Sequence, residues 1–125
     1  MVDSRSEADT IAAGRQLASE LRPGTVVLLS GDLGAGKTAF VRGLADGLGV
    51  DPAAVSSPTF TLMHEYRGGR LPLQHVDLYR VTPVEVDDLG LDELTLGNMV
   101  TAIEWPDRLL RPFDDTVAVT ITKAF

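Results

Sequence analysis

Cysteine is absent from the 125-residue sequence, which excludes a disulfide framework and thiolate metal sites. The two histidines are too few for a His-rich zinc site, so any metal is expected to be a hard cation held by oxygen. Long apolar runs are also missing: the longest, Val26 to Leu29, is far shorter than the about 20 residues that span a bilayer. The acidic N-terminus lacks the basic and apolar regions of a signal peptide, and we therefore expect a cytoplasmic protein.

Positive charge is scarce, with 11 Lys and Arg against 18 Asp and Glu and a net charge of −7. Nucleic-acid phosphates attract clustered Lys and Arg, so this balance argues against autonomous binding of nucleic acid. If the protein serves an RNA pathway, we expect another subunit to hold the RNA. The length is typical of a single domain, here 1–125, and the composition is that of an ordinary globular protein.

Helical and strand patterns alternate along the chain. A capping box at Ser4-x-x-Glu7 predicts a first helix from about 6 to 21, and a second helix runs from the loop at 31–37 to near Gly49. Arg67-Gly68-Gly69-Arg70 predicts a tight hairpin turn. Further helical segments are predicted at 83–94 and 106–110, and strands at 25–30, 59–66, 71–79, 99–105 and 116–122. The predicted fold is α/β, a P-loop NTPase-like three-layer sandwich whose mostly parallel sheet carries an antiparallel hairpin.

A glycine-rich loop, GDLGAGKT, lies between the first predicted strand and the second helix, at Gly31 to Thr38. It has what a polyphosphate requires: glycines that let backbone N–H groups surround the anion, a lysine for the β and γ oxygens, and a hydroxyl for Mg²⁺. A turn without a ligand is the alternative, but the strand before and the helix after are the context that supports a phosphate loop. The sequence thus predicts ATP with Mg²⁺ as the ligand.

Two carboxylates end predicted apolar strands, where P-loop enzymes place a residue that orders Mg²⁺ or the attacking water. Asp77 ends a run that Gln74 and His75 interrupt, whereas Glu104 ends a cleaner apolar strand. The pattern therefore favours Glu104 as the residue on the metal side. A strand-end acid that faces solvent is the alternative for either residue.

The segment at 56–61, SSPTFT, is rich in hydroxyl groups and contains one proline. It fits both a switch that senses the γ-phosphate and an ordinary Pro-containing loop, and the residues leave both readings open. Trp105 is more often a core residue than a ligand contact, and His75 is more often a satisfied strand residue than a catalyst. Chemistry alone assigns neither to the site.

Four segments in this order resemble the bacterial TsaE family: GDLGAGKT at 31–38, SPTFTL at 57–62, HVDLYR at 75–80 and IEWPDR at 103–108. The resemblance implies an ATPase of the machinery that makes threonylcarbamoyladenosine in tRNA, weak without its partners. Those partners would be the TsaD- and TsaB-type subunits of the transferase complex, and direct tRNA binding by the isolated chain is not expected. Many members continue past the last strand into a further β segment that this sequence does not contain.

Carried over residue by residue, the resemblance implies a phosphate-binding loop in which Lys37 contacts the β and γ oxygens and Thr38 contacts Mg²⁺. Glu104 would also hold the metal, and Asp77 would join Glu104 and Lys37 in the catalytic cluster. The residues that would wrap the phosphates are Leu33, Gly34, Ala35, Gly36, Lys37 and Thr38.

Further positions follow from the same resemblance. Glu7 and Thr10 match a region that approaches the adenine, and Asp107 matches a nucleotide contact. Trp105 would border the nucleotide site. Two threonines of the switch-like loop complete the set, Thr59 and Thr61.

Two other functions share these features. A small-molecule kinase has the same phosphate loop but also needs an acceptor site and usually a lid with arginines, and the arginines here are dispersed with no long insertion between them. A nucleotide-gated binding module without significant turnover is the second alternative. Phosphate release with and without partners separates this module from an ATPase.

Overall fold

The computed structural model describes residues 2–4, 7–31, 36–51, 63–78, 82–88, 98–109 and 116–123. This part of the chain contains six strands and three α-helices, with a 3-10 turn at Pro106–Arg108 after the fifth strand. Their bounds are β1 Val2–Ser4, α1 Glu7–Ala18, β2 Val26–Ser30, α2 Lys37–Leu48, β3 Met63–Tyr66, β4 Leu73–Asp77, α3 Pro83–Asp88, β5 Val100–Glu104 and β6 Thr116–Lys123. Within these ranges, no helix is long and apolar enough to cross a membrane.

The strands form one sheet in the order β1-β6-β2-β5-β4-β3. All neighbouring pairs are parallel except β3 and β4, which form the predicted antiparallel hairpin. β2 lies between β5 and β6, and the central strands are rich in apolar residues, as expected for parallel strands buried on both faces. The predicted α/β fold with a mostly parallel sheet is confirmed.

Apolar side chains cover both faces of the sheet. On one face, α1 and α2 pack on residues that include Val27, Leu29 and Ala102. On the other face, alternate residues of the same strands form a second cluster, against which Trp105 and Leu109 pack from the segment after β5. The period-2 alternation of strand side chains separates the two cores.

Three glycines allow α1 and α2 to approach each other closely. A Cβ added at Gly14 would overlap the carbonyl oxygen of Phe40, and one at Gly43 would overlap the carbonyl oxygen of Ile11. Gly47 similarly faces the end of α1, where its added Cβ would lie 2.7 Å from the Arg15 carbonyl oxygen. The close contact fixes α1 beside the helix that follows the glycine-rich loop.

Gly14→Ala is expected to lower the free energy of unfolding by about 1–3 kcal/mol, because the new methyl group must displace backbone of α2. Helix propensity alone predicts the opposite sign, since Ala is about 1 kcal/mol more favourable than Gly inside a helix. Urea denaturation decides between them. Ala12→Gly at an exposed position of α1 calibrates the propensity effect in the same helix. A Gly14→Ala variant as stable as the wild type would contradict the close approach.

The connection between β3 and β4 is longer than the predicted tight turn, since the last register pair joins Tyr66 to Leu73. Gly68 adopts φ 111°, a left-handed conformation that favours glycine. Arg70 donates from its backbone N–H to the Leu48 carbonyl oxygen at 2.6 Å and from its guanidinium to the Ala18 carbonyl oxygen at 2.9 Å. The loop therefore widens because it docks on the C-terminal ends of α1 and α2.

Helix α3 begins with a capping box, in agreement with the predicted Thr-Pro helix entry. The backbone N–H and the hydroxyl of Thr82 both donate to the Glu85 carboxylate, at 3.1 and 2.9 Å, and the Glu85 N–H donates back to the hydroxyl. The hydrogen bond from the Thr82 backbone and, to a lesser extent, the one from its hydroxyl hold the pKa of Glu85 below its ordinary value, because they favour the ionised carboxylate. The predicted helix extended to residue 94, and its part beyond Asp88 lies outside the described residues.

Two sequence-based predictions near the N-terminus need correction. The predicted capping box at Ser4 is wrong, because Ser4 is the last residue of β1 and the helix begins at Glu7. Strand β1 itself was not predicted. It is three residues long and pairs in parallel with Ile121 to Lys123 at the far end of β6. Its formation therefore depends on residues that are distant in sequence, which a local pattern does not show.

Candidate functional site

The carboxyl ends of β2, β5 and β4 lie side by side at one edge of the sheet. Glu104 at the end of β5 stands in register with Leu29 of β2 on one side and with Asp77 of β4 on the other. Asp77 is half-buried and Glu104 is buried. The two carboxylates singled out from the sequence are therefore neighbours, at the edge where open α/β sheets bind their ligands.

The N-terminus of α2 faces the same edge, because α2 follows β2 after the glycine-rich loop. Gly36 adopts φ 96° and turns the chain into the helix, which begins at Lys37. Lys37 is only 5% exposed, and its Nζ donates to the Gly31 carbonyl oxygen at 3.2 Å. The loop thus ends beside a lysine ammonium and the first-turn N–H groups of a helix, which together favour an anion such as a phosphate.

Trp105 covers the lysine from the other side. The Lys37 Nζ lies 3.9 Å from the centroid of the indole ring, which is a cation–π contact. Trp105 adopts φ 63°, a left-handed conformation that is uncommon outside glycine, directly after the end of β5. The ring also packs against the second apolar cluster, so the interpretation of Trp105 as a core residue is incomplete: it is a core residue that also contacts Lys37, at the end of the glycine-rich loop.

Glu104 is held by a second buried side chain. The Nε2 of His75 lies 2.5 Å from the Oε2 of Glu104, and both side chains are almost completely buried. The other ring nitrogen of His75, Nδ1, has no hydrogen-bond partner in the described part of the chain. The prediction that His75 is a satisfied strand residue is therefore only half right, because one nitrogen binds Glu104 and the other is unsatisfied.

Comparison with known proteins identifies the family. The sequence profile of the family described as "Threonylcarbamoyl adenosine biosynthesis protein TsaE" matches residues 4–124. The chain belongs to the TsaE family. Membership covers all four motifs that suggested it, including the glycine-rich loop and the strands that end at Asp77 and Glu104.

Relatives named "tRNA threonylcarbamoyladenosine biosynthesis protein TsaE" share much of this sequence. The protein of Synechocystis sp. is 51% identical over 100 residues, which cover 77% of this chain and 63% of the relative. The protein of Treponema pallidum is 43% identical over 120 residues, which cover 94% of this chain and 87% of the relative. The chain also spans 60% of the Bacillus subtilis protein, to which it is 50% identical.

A solved structure has the same fold. The crystal structure of Bacillus subtilis YdiB superposes with a TM-score of 0.70 at 36% sequence identity, covering 94% of this chain and 73% of that chain. The fold of this chain is thus shared with the Bacillus subtilis protein.

Four other predicted site residues of this TsaE-family chain lie within the described ranges. Thr38 is half-buried in the first turn of α2. Thr10 is buried, with its side chain 3.7 Å from where a Gly36 Cβ would stand, so the start of α1 adjoins the end of the loop. Glu7 is the first residue of α1, one turn earlier, and Asp107 is exposed in the 3-10 turn.

Several predicted residues of the family motifs lie outside the described residues. They are three of the loop residues, Leu33, Gly34 and Ala35, and the switch-like segment with Thr59 and Thr61. Their predicted contacts with phosphate or Mg²⁺ stay predictions.

The side chains at the site have the chemistry that Mg²⁺ prefers. Thr38 offers a hydroxyl oxygen, and Asp77 and Glu104 offer carboxylate oxygens at neighbouring strand ends. Mg²⁺ is usually bound through one or two such protein oxygens together with substrate phosphates and water. The donor set therefore fits this ion.

Two contacts at the site escaped the sequence analysis, the one between His75 and Glu104 and the one between Lys37 and Trp105. A usable signal existed for the first. His75 and Asp77 are two residues apart in a strand, so their side chains lie on the same face of the sheet. His75 is therefore the neighbour, on that face, of a predicted catalytic acid. The second contact carries no local signal, since it depends on the left-handed backbone of Trp105.

Proposed function

We propose that this chain binds ATP with Mg²⁺ and hydrolyses it as the ATPase component of the machinery that makes threonylcarbamoyladenosine in tRNA. The observation that carries the proposal is the contact of Lys37, the first residue of α2, with Trp105, which directly follows Glu104 at the end of β5, beside the end of β4 that bears Asp77. Family membership favours this pathway over a small-molecule kinase. We place the activity in the cytoplasm, where tRNA is modified.

Each residue has a role in hydrolysis that follows from its position. Lys37 leaves the Trp105 ring and binds the β and γ oxygens of ATP, where its charge opposes the negative charge that develops on the transferring phosphoryl group. Thr38 and Glu104 would hold Mg²⁺, which when bound neutralises charge on the same oxygens. Asp77, beside Glu104, orients the water whose oxygen attacks the γ-phosphorus as the bond to ADP breaks.

Hydrolysis is proposed to drive a partner rather than a small substrate. The net charge of −7 disfavours direct contact with tRNA, so the target is a protein surface, here the TsaD- and TsaB-type subunits of the transferase complex. A nucleotide can drive such a partner only if the ATP and ADP forms bind it with different affinity. The switch-like segment at 57–61 is the proposed transmitter, since it follows the phosphate-loop helix in sequence.

A binding experiment tests the proposal. Affinity for the purified transferase complex is measured with a non-hydrolysable ATP analogue, with ADP and without nucleotide, beside a direct tRNA titration at physiological salt. We expect the ATP and ADP forms to differ in affinity for the complex by about 10-fold or more, which corresponds to a coupling free energy of about 1.4 kcal/mol. Equal affinity in all three states, or tight tRNA binding by the isolated chain, contradicts the proposal. Phosphate release with and without the complex separates an ATPase from a binding module.

A further inference from the structure

His75 occupies a position where a polar side chain costs stability. It lies in the middle of β4 with no exposed surface, in register with Ala102, on the face of the sheet that α2 covers. The neighbouring residue of β4 on this face, Leu73, is an apolar core residue. A buried Nδ1 that has no hydrogen-bond partner among the described residues destabilises the fold, so packing alone does not explain a histidine here.

The contact that His75 makes is directed at the site. Two residues beyond Ala102 on the same face lies Glu104, and the Nε2 of His75 reaches its Oε2 at 2.5 Å. His75 therefore lies directly beneath the carboxylate pair formed by Asp77 and Glu104. A hydrogen bond of this length to a buried carboxylate restricts the rotamer of that side chain and occupies one of its two oxygens.

We propose that His75 is a positioning residue that fixes the orientation of the Glu104 carboxylate. Its hydrogen bond occupies Oε2, so that Oε1 is the oxygen that faces the ligand. This inference rests on the proposed function, because it assigns His75 a part in the same ATP hydrolysis. The proton sits on Nε2 and is donated to Glu104, which leaves Nδ1 as a buried acceptor rather than a buried donor. Because His75 is fully buried and its Nε2 contacts Glu104, it acts through that carboxylate.

Three variants of neighbouring positions test the inference. His75→Leu removes the donor and fills the volume with an apolar side chain. His75→Gln keeps an N–H donor at the same number of bonds from Cβ. Gln74→Leu is the matched control, because Gln74 is also a buried polar residue of β4 but lies on the opposite face, where it accepts from the Thr101 hydroxyl at 3.3 Å.

Partner-stimulated turnover and nucleotide binding are measured for each variant. We expect His75→Leu to lower kcat by about 10- to 100-fold, the usual cost of losing a residue that orients a ligand-binding side chain, with the KM for ATP changed less than about threefold. His75→Gln should recover most of kcat, and Gln74→Leu should keep it. A purely structural role for His75 predicts instead that both apolar variants lose stability and neither changes kcat per folded molecule.

A second readout needs no turnover. In ¹⁵N-labelled protein without nucleotide, the His75 ring should carry its proton on Nε2, and Glu104→Gln should shift that proton's resonance upfield because an amide oxygen is a weaker acceptor than a carboxylate. A proton on Nδ1, or a resonance that Glu104→Gln does not move, overturns the inference even if His75→Leu fails to fold.

Failure of this inference differs from failure of the proposed function. If the wild type shows no partner-stimulated hydrolysis, the proposed ATPase activity fails, and the NMR result alone decides the position of the proton. If the wild type hydrolyses ATP and His75→Leu matches its kcat, the positioning role fails and the ATPase proposal stands.

Discussion

Lys37→Ala is expected to weaken ATP binding by about 100-fold or more while the chain stays folded. Charge-assisted hydrogen bonds to phosphate are each worth about 1.5–3 kcal/mol, and Lys37 supplies the only side-chain ammonium that the structure places at the described end of the loop. The existing contact with Trp105 subtracts only part of this, because a cation–π contact is worth about 0.5–2 kcal/mol. Removing the Lys37 ammonium therefore weakens ATP binding more than it destabilises the fold.

Isothermal titration with ATP and Mg²⁺ measures this effect, and circular dichroism checks the fold. The matched control is Arg15→Ala, which also removes one positive charge but at the opposite end of the helix pair, where Arg15 pairs with Asp46 at 2.5 Å on the surface. We expect the control to bind ATP as the wild type does. Unchanged affinity in a folded Lys37→Ala variant would place the nucleotide elsewhere.

Glu104→Gln is expected to lower partner-stimulated kcat by about 100-fold while ATP affinity changes little. A residue that orders the metal side or the water contributes mainly in the transition state, with typical effects of about 10²–10⁴-fold. Gln is preferred to Ala, because its amide oxygen still accepts from His75, so the His75 donor keeps its partner. Asp77→Asn should lower kcat as well but affect Mg²⁺ dependence less.

Steady-state phosphate release over a range of Mg²⁺ concentrations, with the transferase complex present, separates the two carboxylates. Glu65→Gln is the control, since Glu65 is an exposed carboxylate of β3 that pairs with Arg67 on the surface. It should hydrolyse ATP at the wild-type rate. The catalytic cluster is wrong if Glu104→Gln and Asp77→Asn both retain that rate.

The elements around the loop were predictable because their signals are local. The apolar run of β2, the glycines of the loop and the start of α2 are contiguous in the chain, and α2 ends where predicted, with Gly49 at φ 87° and its N–H bonded to the Asp46 carbonyl oxygen at 3.1 Å. The hairpin of β3 and β4 was predictable for the same reason. Its wider turn was not, since the turn docks on helix ends that are distant in sequence.

The two carboxylates were predictable as strand-end residues, but their proximity was not. Asp77 and Glu104 were selected because each ends a strand, which is a property of its own segment. That they are adjacent follows from the parallel register of β4 and β5, which residues 78–99 separate in the chain. No short stretch of sequence contains that register, so their proximity came only from the family resemblance and then from the structure.

The sequence by itself determined the type of fold, the position of the glycine-rich loop and the acids at two strand ends, because strand and helix periodicity, glycine spacing and turn chemistry all act within a few residues. Only the tertiary structure decided that β1 pairs with β6, that the Trp105 ring covers Lys37, and that His75 binds Glu104. Each of these depends on strand order, register or an uncommon backbone conformation. Such features are set by burial and hydrogen bonding between distant segments, which local pattern does not encode.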